Sequence, residues 1–404
     1  MDEQEEKAVL NVLRSGWLVQ GPNVAEFENR FKTFAGVRNA IAVTSCTTAL
    51  HLALLAAGIG PGDEVLVPSF TFLATANAVE YTGAKPVFVD VGPRTFNMNP
   101  EEIGRFASEK AKVGGALPKC ILPVSLFGLC ADMETIHEIA SRYGMKVVED
   151  AACGLGAYRN EHHAGAEALL GCFSFHPRKS ITTGEGGMVV TDDDELADKI
   201  RRLRDHGAAK TDLERHLSQG GSLLPAYDVL GFNYRMTDLQ GALGVAQMSK
   251  LPQILEARRA AAARYDNLLE GIPEILPPWA PPGYRHAYQS YVCLYLPDST
   301  DMRAGGIPAW DRIGAWNRER NRIMAYMERQ GISVRQGTHA VHTLGYYQRK
   351  YGLRDEDFAV SYMADRLSIT LPLYVGISVE DQERVIRTLI EGIKISQASA
   401  APEY

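Results

Sequence analysis

The stretch Phe-Ser-Phe-His-Pro-Arg-Lys-Ser-Ile-Thr-Thr-Gly-Glu-Gly-Gly, at residues 173–187, is the most informative part of the sequence. Its apolar beginning predicts the end of a buried strand, and its glycine-rich end predicts a tight turn into a second strand at Met188–Val190. Lys179 lies between these two strands, among serine, histidine and threonine residues. Because a single lysine is usually a surface residue, this setting makes Lys179 a candidate for chemistry.

Short apolar runs alternate with helical patterns before this stretch. The alternation predicts an α/β fold in which helices flank a mostly parallel central sheet. The predicted strands are Ala40–Val43, Glu64–Pro68, Pro86–Val91, Cys120–Val124 and Lys146–Glu149, and the predicted helices are Thr48–Ala57, Thr71–Tyr81, Pro100–Ala107 and Met133–Tyr143. Ligands of such sheets bind at the carboxyl ends of the strands, so the residues that follow each strand are the first candidates for a site.

The pattern changes after about residue 245. A long helix is predicted at Leu251–Leu269, and a proline-rich segment follows it. The remaining predictions are strands at Tyr291–Tyr295 and Ile332–Val334, a helix containing Met324–Gln330 and a closing helix around Glu380–Ile395. We therefore expect a large domain at residues 1–245 and a smaller C-terminal α+β domain at residues 246–404.

Composition narrows the function classes. The 404 residues carry a net charge of -7 and are 46% hydrophobic, which is typical of a globular protein and disfavours general nucleic-acid binding. No apolar run is long enough to span a membrane. The six cysteines lack C-x-x-C spacing and the N-terminus is acidic, so we expect a cytoplasmic protein. His339 and His342 have no cysteine or carboxylate set beside them, so no metal site is expected.

Three further polar segments follow predicted strands or precede the long helix. Residues 44–49, Thr-Ser-Cys-Thr-Thr-Ala, open a helix, and they predict either a phosphate site or ordinary N-capping. Asp150, in the run Val-Val-Glu-Asp-Ala-Ala at 147–152, is either a functional carboxylate or a capping residue. Residues 231–240, Gly-Phe-Asn-Tyr-Arg-Met-Thr-Asp-Leu-Gln, combine aromatic and polar groups, or simply end in an N-cap at Thr237 or Asp238.

One cofactor uses all four segments. The sequence has no P-loop, no G-x-S-x-G elbow and no H-E-x-x-H motif. Pyridoxal phosphate requires an anion site for its phosphate, an aromatic face for its ring, a carboxylate against its pyridine nitrogen and a lysine. The segments around Lys179, Asp150 and residues 44–49 offer these groups, so this cofactor is the one that the sequence favours.

The sequence resembles the DegT/DnrJ/EryC1/StrS family of sugar aminotransferases, which have the pyridoxal-phosphate-dependent transferase fold type I. The resemblance extends over nearly the whole chain, from residues 15–24 to the final helix. Its most specific motifs are residues 173–187, Glu-Asp-Ala-Ala at 149–152, Pro-Ser-Phe-Thr-Phe at 68–72 and Asn-Tyr-Arg-Met-Thr at 233–237.

The resemblance implies roles for individual residues. Lys179 holds the cofactor covalently, and Asp150 pairs with its pyridine nitrogen. The other implied cofactor-binding residues are Phe72 against the ring, Cys153 near the 3′ oxygen, and Thr47, Thr48 and Ser174 at the phosphate. Asn233 reaches the phosphate of the cofactor bound by the other subunit, so the resemblance implies a homodimer with shared active sites.

The resemblance also implies the substrates. They are glutamate, as amino donor, and a nucleotide-linked 3- or 4-keto deoxysugar, for surface polysaccharide or secondary-metabolite biosynthesis. Family members that carry histidine in place of the lysine perform dehydration, so Lys179 favours transamination. The alternatives are a cyclitol aminotransferase, a pyridoxal-phosphate-dependent sugar lyase or dehydratase, and a non-catalytic regulatory relative.

The residues that contact the substrate are less readable. The first candidates are Arg178, His339 and His342. Tyr346 and Tyr347 are further candidates, and the alternative for them is packing within the small domain. Arg202, Arg204 and His206 are also candidates, and the alternative for the two arginines is a solvated helix face.

Overall fold

A seven-stranded sheet forms the centre of the N-terminal part of the protein. The structure, a computed structural model, describes residues 1–209, 226–298 and 306–398. In spatial order the strands are Asn39–Val43, Gly187–Thr191, Leu170–Ser174, Lys146–Asp150, Cys120–Ile121, Glu64–Pro68 and Lys85–Val89. Gly187–Thr191 is antiparallel to both of its neighbours, and the other pairs are parallel. The predicted mostly parallel sheet is therefore confirmed.

Helices flank this sheet, as the alternating pattern predicted. Several begin at a side chain that accepts a backbone N–H, such as Asp132 from Thr135 and Asp193 from Glu195. The helices of this part are Glu3–Ser15, Pro22–Ala35, Cys46–Ala56, Ala74–Tyr81, Pro100–Lys112, Met133–Tyr143 and Asp194–Arg204. Their apolar faces and the strands bury three clusters of hydrophobic side chains.

The C-terminal part is built on a three-stranded antiparallel sheet. Its strands are Ile275–Leu276, Tyr291–Tyr295 and Ser368–Leu371. The helices of this part are Trp310–Arg329, Gly345–Tyr351, Ala359–Leu367 and Val379–Ala398. A separate hydrophobic cluster lies between this sheet and its helices, and it includes Phe70 and Phe127 from the N-terminal part.

One helix, Asp238–Leu269, joins the two parts. Thr237 begins it with a capping box, in which its side chain accepts the Gln240 N–H and the Gln240 side chain accepts the Thr237 N–H. The helix therefore starts earlier than predicted, and it runs through residues 245 and 246 without a break. The division into domains at 1–245 and 246–404 stays a prediction. No helix in the described ranges is both long and apolar enough to cross a membrane.

Short elements complete the fold. Strand Tyr158–Arg159 pairs with His162–His163 and with Tyr284–Arg285. Strand Phe70–Thr71 pairs with His339–Ala340, so the helix predicted from Thr71 begins only at Ala74. Within the described ranges, three short 3₁₀ helices span Leu126–Gly128, Val341–Thr343 and Asp355–Phe358.

The prediction of a strand at Ile332–Val334 was wrong. These residues form no ladder, and the nearest pairing is a single bridge between Arg335 and Thr370. Ile332 and Val334 are nevertheless buried in the C-terminal hydrophobic cluster. Their apolar character reflects burial rather than strand pairing, because periodicity alone does not separate the two over so short a run.

Candidate active site

The predicted cofactor residues lie at one edge of the central sheet. Three strands end there, at Val43, Asp150 and Ser174. The strands that end at Asp150 and Ser174 are adjacent, and Gly187–Thr191 separates them from the strand that ends at Val43. Lys179 follows the strand that ends at Ser174 after a short turn. Since the carboxyl ends of parallel strands share an edge, chain segments that are distant in sequence meet at this site.

Asp150 is a buried carboxylate held in a fixed orientation. Its side chain is 5% exposed, and its two oxygens accept from the Thr75 hydroxyl at 2.8 Å and the Ala152 N–H at 3.1 Å. Burial raises the pKa of Asp150, while the hydrogen bonds from Thr75 and Ala152 and the charge of Lys179 oppose that increase. The site thus supplies a carboxylate in a low-dielectric setting beside a cation.

Lys179 points toward the same region. Its Nζ lies 3.1 Å from the Cys153 sulfur, to which it donates a hydrogen bond. Burial lowers the pKa of Lys179, but Cys153, Cys46 and Asp150 raise it, and the net shift is upward. Cys46 also lies beside Asp150, with Sγ 4.0 Å from Oδ1. The lysine, the carboxylate and both cysteines therefore form one cluster.

The helix Cys46–Ala56 begins at this cluster. Ser45 caps it by accepting the Thr48 N–H, and the Thr48 hydroxyl accepts the Ser45 N–H at 3.1 Å. The N-capping interpretation of residues 44–49 is confirmed, and the Thr48 hydroxyl is used in the cap. Phosphate binding by Thr47 and Thr48 stays a prediction.

Gly187 allows the sheet to approach this helix terminus. A Cβ at Gly187 would lie 2.4 Å from the carbonyl carbon of Ser45 and 2.7 Å from the nitrogen of Cys46. Any side chain there would displace the turn, so a glycine is required by close approach rather than by unusual dihedral angles. The contact fixes the helix N-terminus, a favourable place for an anion, next to Lys179 and Asp150.

The remaining cofactor candidates surround the cluster. Phe72 follows the strand Phe70–Thr71 and is 59% exposed, whereas phenylalanine is usually buried. Ser174 is 9% exposed at the end of its strand. Asn233 is exposed, and it forms a single β-bridge with Asp205. Its predicted contact with the phosphate of a second subunit's cofactor stays a prediction.

Two of the three substrate candidates lie on accessible surface near the site. Arg178 is exposed directly before Lys179, and His339 is exposed and pairs with Thr71, next to Phe72. His342 is different, because it is fully buried. Its Nδ1 is hydrogen-bonded to the Ser69 hydroxyl and its Nε2 to the carbonyl of Asp355 at 3.1 Å. This corrects the prediction that His342 contacts substrate, since both ring nitrogens already have partners in the interior.

The further substrate candidates also divide into buried and accessible residues. Arg204 is 2% exposed, pairs with Glu28 at 2.6 Å and donates to the Ala42 carbonyl, so it is neither a solvated helix residue nor an open anion site. Tyr347 is buried and donates to Asn77, which is a packing role. Arg202 pairs with Asp228, while His206 and Tyr346 are exposed.

One residue of the site was missed from the sequence. Thr75 orients Asp150, and the hydroxyl of Thr75 is also hydrogen-bonded to that of Thr71. Two threonines four residues apart were therefore the signal that the sequence offered for Thr75. Glu149 is also buried, and it accepts from the Ser125 hydroxyl and the Gly165 N–H at 2.8 Å. Burial raises the pKa of Glu149 to about 7. Glu149 and Asp150 have separate partners because strand alternation directs them to opposite faces.

A lysine and a buried carboxylate at the carboxyl edge of a mostly parallel sheet, with a fixed helix N-terminus beside them, fit a pyridoxal phosphate site. Phe72 adds an exposed aromatic ring at the same edge. Over the residues that the structure describes, no group of three histidine, cysteine or acidic side chains is placed to hold a metal ion. The fold and site define the class of pyridoxal-phosphate-dependent transferases of fold type I.

Comparison with known sequences agrees with this class. A profile of the DegT/DnrJ/EryC1/StrS aminotransferase family matches residues 1–390, and the chain belongs to that family. Spore coat polysaccharide biosynthesis protein SpsC of Bacillus subtilis is 36% identical over 97% of this chain and 95% of its own length. GDP-perosamine synthase of Caulobacter vibrioides is 35% identical over 96% of this chain and 95% of its own.

Solved structures show the same fold. An aminotransferase of this family from Brucella abortus superimposes with a TM-score of 0.82 at 32% identity, covering 96% of this chain and 95% of its own. The putative sugar aminotransferase Spr1654 of Streptococcus pneumoniae, in its PMP form, gives a TM-score of 0.85 at 26% identity over 98% of both chains. The predicted family, fold type, cofactor and aminotransferase class are confirmed.

Proposed function

We propose that the protein transfers the amino group of glutamate to a keto sugar carried on a nucleoside diphosphate, most simply a 3- or 4-keto deoxysugar. The reaction would serve the synthesis of an aminated sugar for a surface polysaccharide or a secondary metabolite. The similarity to GDP-perosamine synthase over nearly the full length of both chains is the observation that carries the choice of sugar.

The arrangement of Lys179 and Asp150 supports transamination. When bound, pyridoxal phosphate would accept the electrons that remain when the carbon–hydrogen bond of the amino donor breaks. Asp150 would hold a positive charge on the pyridine nitrogen, and the burial of its carboxylate and its hydrogen bond from Thr75 support this role. Lys179 would move a proton between the Cα atom of the donor and the C4′ carbon of the cofactor, and the position of its amine in the same cluster supports this role.

The remaining residues position the reactants. The N-terminus of helix Cys46–Ala56 and the Ser174 hydroxyl would bind the phosphate, and Phe72 would stack on the ring. We propose that Asn233 completes the phosphate site of a second subunit, because it is exposed on the segment that bridges to Val43 at the edge of the sheet. The active enzyme would then be a homodimer with shared sites.

Two half-reactions test the proposal. Incubation of the cofactor-loaded protein with glutamate should convert it to the pyridoxamine form, which absorbance reports directly. A keto nucleotide sugar should then restore the original spectrum much faster than pyruvate or oxaloacetate does. Faster restoration by a simple 2-oxo acid would assign the enzyme to amino-acid transamination, and restoration by a keto cyclitol would assign it to cyclitol amination.

A further inference from the structure

Cys153 and Lys179 form a thiol–amine pair in the candidate active site. The Nζ of Lys179 donates a hydrogen bond to the sulfur of Cys153 across 3.1 Å. Both side chains are half-buried, so a small molecule that enters the site can reach them. The proposed transamination uses the amine of Lys179 and gives the thiol no step. A nucleophilic sulfur therefore lies against the nitrogen that the cofactor requires.

Cys153 differs from the other cysteines in its surroundings. All six cysteines lie in the described ranges, and five of them are buried, namely Cys46, Cys120, Cys130, Cys172 and Cys293. Burial raises the pKa of each of these five thiols, which keeps them protonated and unreactive. Reactive cysteines are partly exposed and lie beside a positive charge. Of the six, Cys153 is the one that is half-buried and contacts a lysine amine.

Lys179 supplies both the charge and a nitrogen that can move. Burial lowers the pKa of Lys179, but Cys153, Cys46 and Asp150 raise it, and the net shift is upward. The amine is therefore charged at neutral pH, and its charge lies beside the sulfur, where it favours oxidation of the thiol. Because the side chain of lysine is a flexible four-carbon stem, Nζ can close the remaining distance to the sulfur without a change of the backbone.

We propose that a peroxide oxidises Cys153 and that Lys179 then forms a covalent nitrogen–sulfur bond to it. In the first step the sulfur attacks one oxygen of hydrogen peroxide, the oxygen–oxygen bond breaks, and the departing hydroxide takes the thiol proton to give water and a sulfenic acid. In the second step the Lys179 nitrogen attacks the sulfur and the sulfur–oxygen bond breaks. The charged amine loses two protons, one to the departing hydroxide, which leaves as water, and one to solvent. The sulfur thus loses two electrons, and the peroxide is reduced to two molecules of water.

The bond to Cys153 and the bond to the cofactor exclude each other, because both use the single Nζ of Lys179. Cofactor on Lys179 should protect the pair from cross-linking, and the cross-linked protein should not take up the cofactor. Dithiothreitol should reverse the block, since it supplies two electrons and becomes a disulfide. This block rests on the proposed attachment of the cofactor to Lys179, whereas the nitrogen–sulfur bond does not depend on it or on the identity of the substrates.

Mass spectrometry of the full-length protein tests the pair without turnover. After treatment with hydrogen peroxide, cofactor-free protein should lose about 2 Da, the mass of two hydrogen atoms, and cofactor-loaded protein should not. A tryptic digest without reductant should then contain residues 147–159, which include Cys153, joined to residues 179–199, which begin at Lys179. Uptake of pyridoxal phosphate, followed by its absorbance, should fall in proportion to the cross-linked fraction and return after dithiothreitol.

Two serine variants provide matched controls. Cys153→Ser should form no cross-link, and its cofactor uptake after peroxide should equal that of its own untreated sample. Cys46→Ser should cross-link as the wild type does, because the proposed bond does not use Cys46.

A loss of mass that the digest assigns to a disulfide between Cys46 and Cys153 overturns the inference. So does oxidation of Cys153 that leaves Lys179 unmodified, or cross-linking to the same extent in loaded and cofactor-free protein. A cross-link that leaves cofactor uptake unchanged overturns the proposed block. Failure of every keto sugar to discharge the pyridoxamine form overturns the proposed acceptor and leaves the cross-link standing.

Discussion

The Thr75 hydroxyl donates a hydrogen bond to Oδ2 of Asp150 across 2.8 Å, although the two residues are 75 positions apart in the sequence. Thr75 lies in the helix that follows Phe72, and Asp150 ends a central strand. Burial raises the pKa of this carboxylate and the Thr75 hydrogen bond lowers it. Thr75 is thus a positioning residue whose hydrogen bond favours the ionised form of Asp150.

Replacing Thr75 by valine should therefore raise the pKa of Asp150 further. As the pH falls, the variant should lose its glutamate half-reaction at a higher pH than the wild type, because the carboxylate protonates earlier. At neutral pH the rate should fall about ten-fold, as expected for the loss of one hydrogen bond to a charged group. Thr75→Ser is the control, since it keeps the hydroxyl. An acidic limb that does not move in Thr75→Val would contradict the role of Thr75.

Lys179 should be the residue that holds the cofactor. Borohydride reduction of the loaded protein should fix the cofactor onto one peptide, the one that contains residues 173–187, because only this lysine lies within the cluster of Asp150 and Cys153 among the described residues. Mass spectrometry of the digest identifies the labelled lysine. Lys179→Ala should show neither the visible absorbance nor the label, and label on Lys250 or any other lysine would refute the assignment.

A shared active site predicts complementation between two inactive chains. Lys179→Ala lacks the cofactor lysine but keeps Asn233, whereas Asn233→Asp keeps the lysine and brings a negative charge toward the phosphate of its partner. In a mixed dimer one site carries both defects and the other carries neither. Co-refolding should restore up to about a quarter of wild-type activity, because about half of randomly paired chains form mixed dimers.

Asn233→Asp must be strongly impaired alone for this recovery to be measured, and Asn233→Gln serves as its uncharged comparison. Native mass spectrometry confirms that mixed dimers are present. Mixed dimers without recovered activity would show that each chain builds its site alone.

Glu149 should make the folded protein less stable as the pH rises. Its pKa is raised from 4.5 to about 7 by burial, so the folded state holds a proton that the unfolded state releases. The free energy of unfolding should therefore fall between about pH 4.5 and 7, by on the order of 3 kcal/mol at full effect. Urea unfolding at several pH values, with Glu149→Gln as the neutral reference, measures this contribution. A difference between the two proteins that does not change with pH would mean that Glu149 titrates normally.

Local patterns were sufficient to single out the segments that carry Lys179 and Asp150. Lys179 follows a strand and Asp150 ends one, and the apolar residues of each strand identify it. The sequence indicated an N-cap at Thr237 or Asp238, and Thr237 is the one that the structure shows. Helix and strand boundaries were less predictable where tertiary pairing intervened. Phe70–Thr71 joins a strand because His339–Ala340 pairs with it from the other end of the chain.

Burial decided which of the polar candidates are available to a ligand. His339 and His342 are similar in sequence terms, yet the first is exposed and the second is enclosed by Ser69 and Asp355. Arg204 looked like a surface residue of a helix and instead forms a buried ion pair with Glu28. The sequence carries no local signal for these differences, because each depends on a partner supplied by a distant segment.

The sequence by itself determined the α/β fold with its mostly parallel sheet and the segments that carry Lys179 and Asp150. Hydrophobic periodicity and turn residues are sufficient for this because they act over a few neighbouring residues. The tertiary structure decided the hydrogen bond from Thr75 to Asp150 and the buried ion pair between Arg204 and Glu28. Those groups meet only when separate elements pack together. The physical reason is that hydrogen bonds and electrostatic fields depend on distance in space, which residue spacing along the chain does not specify.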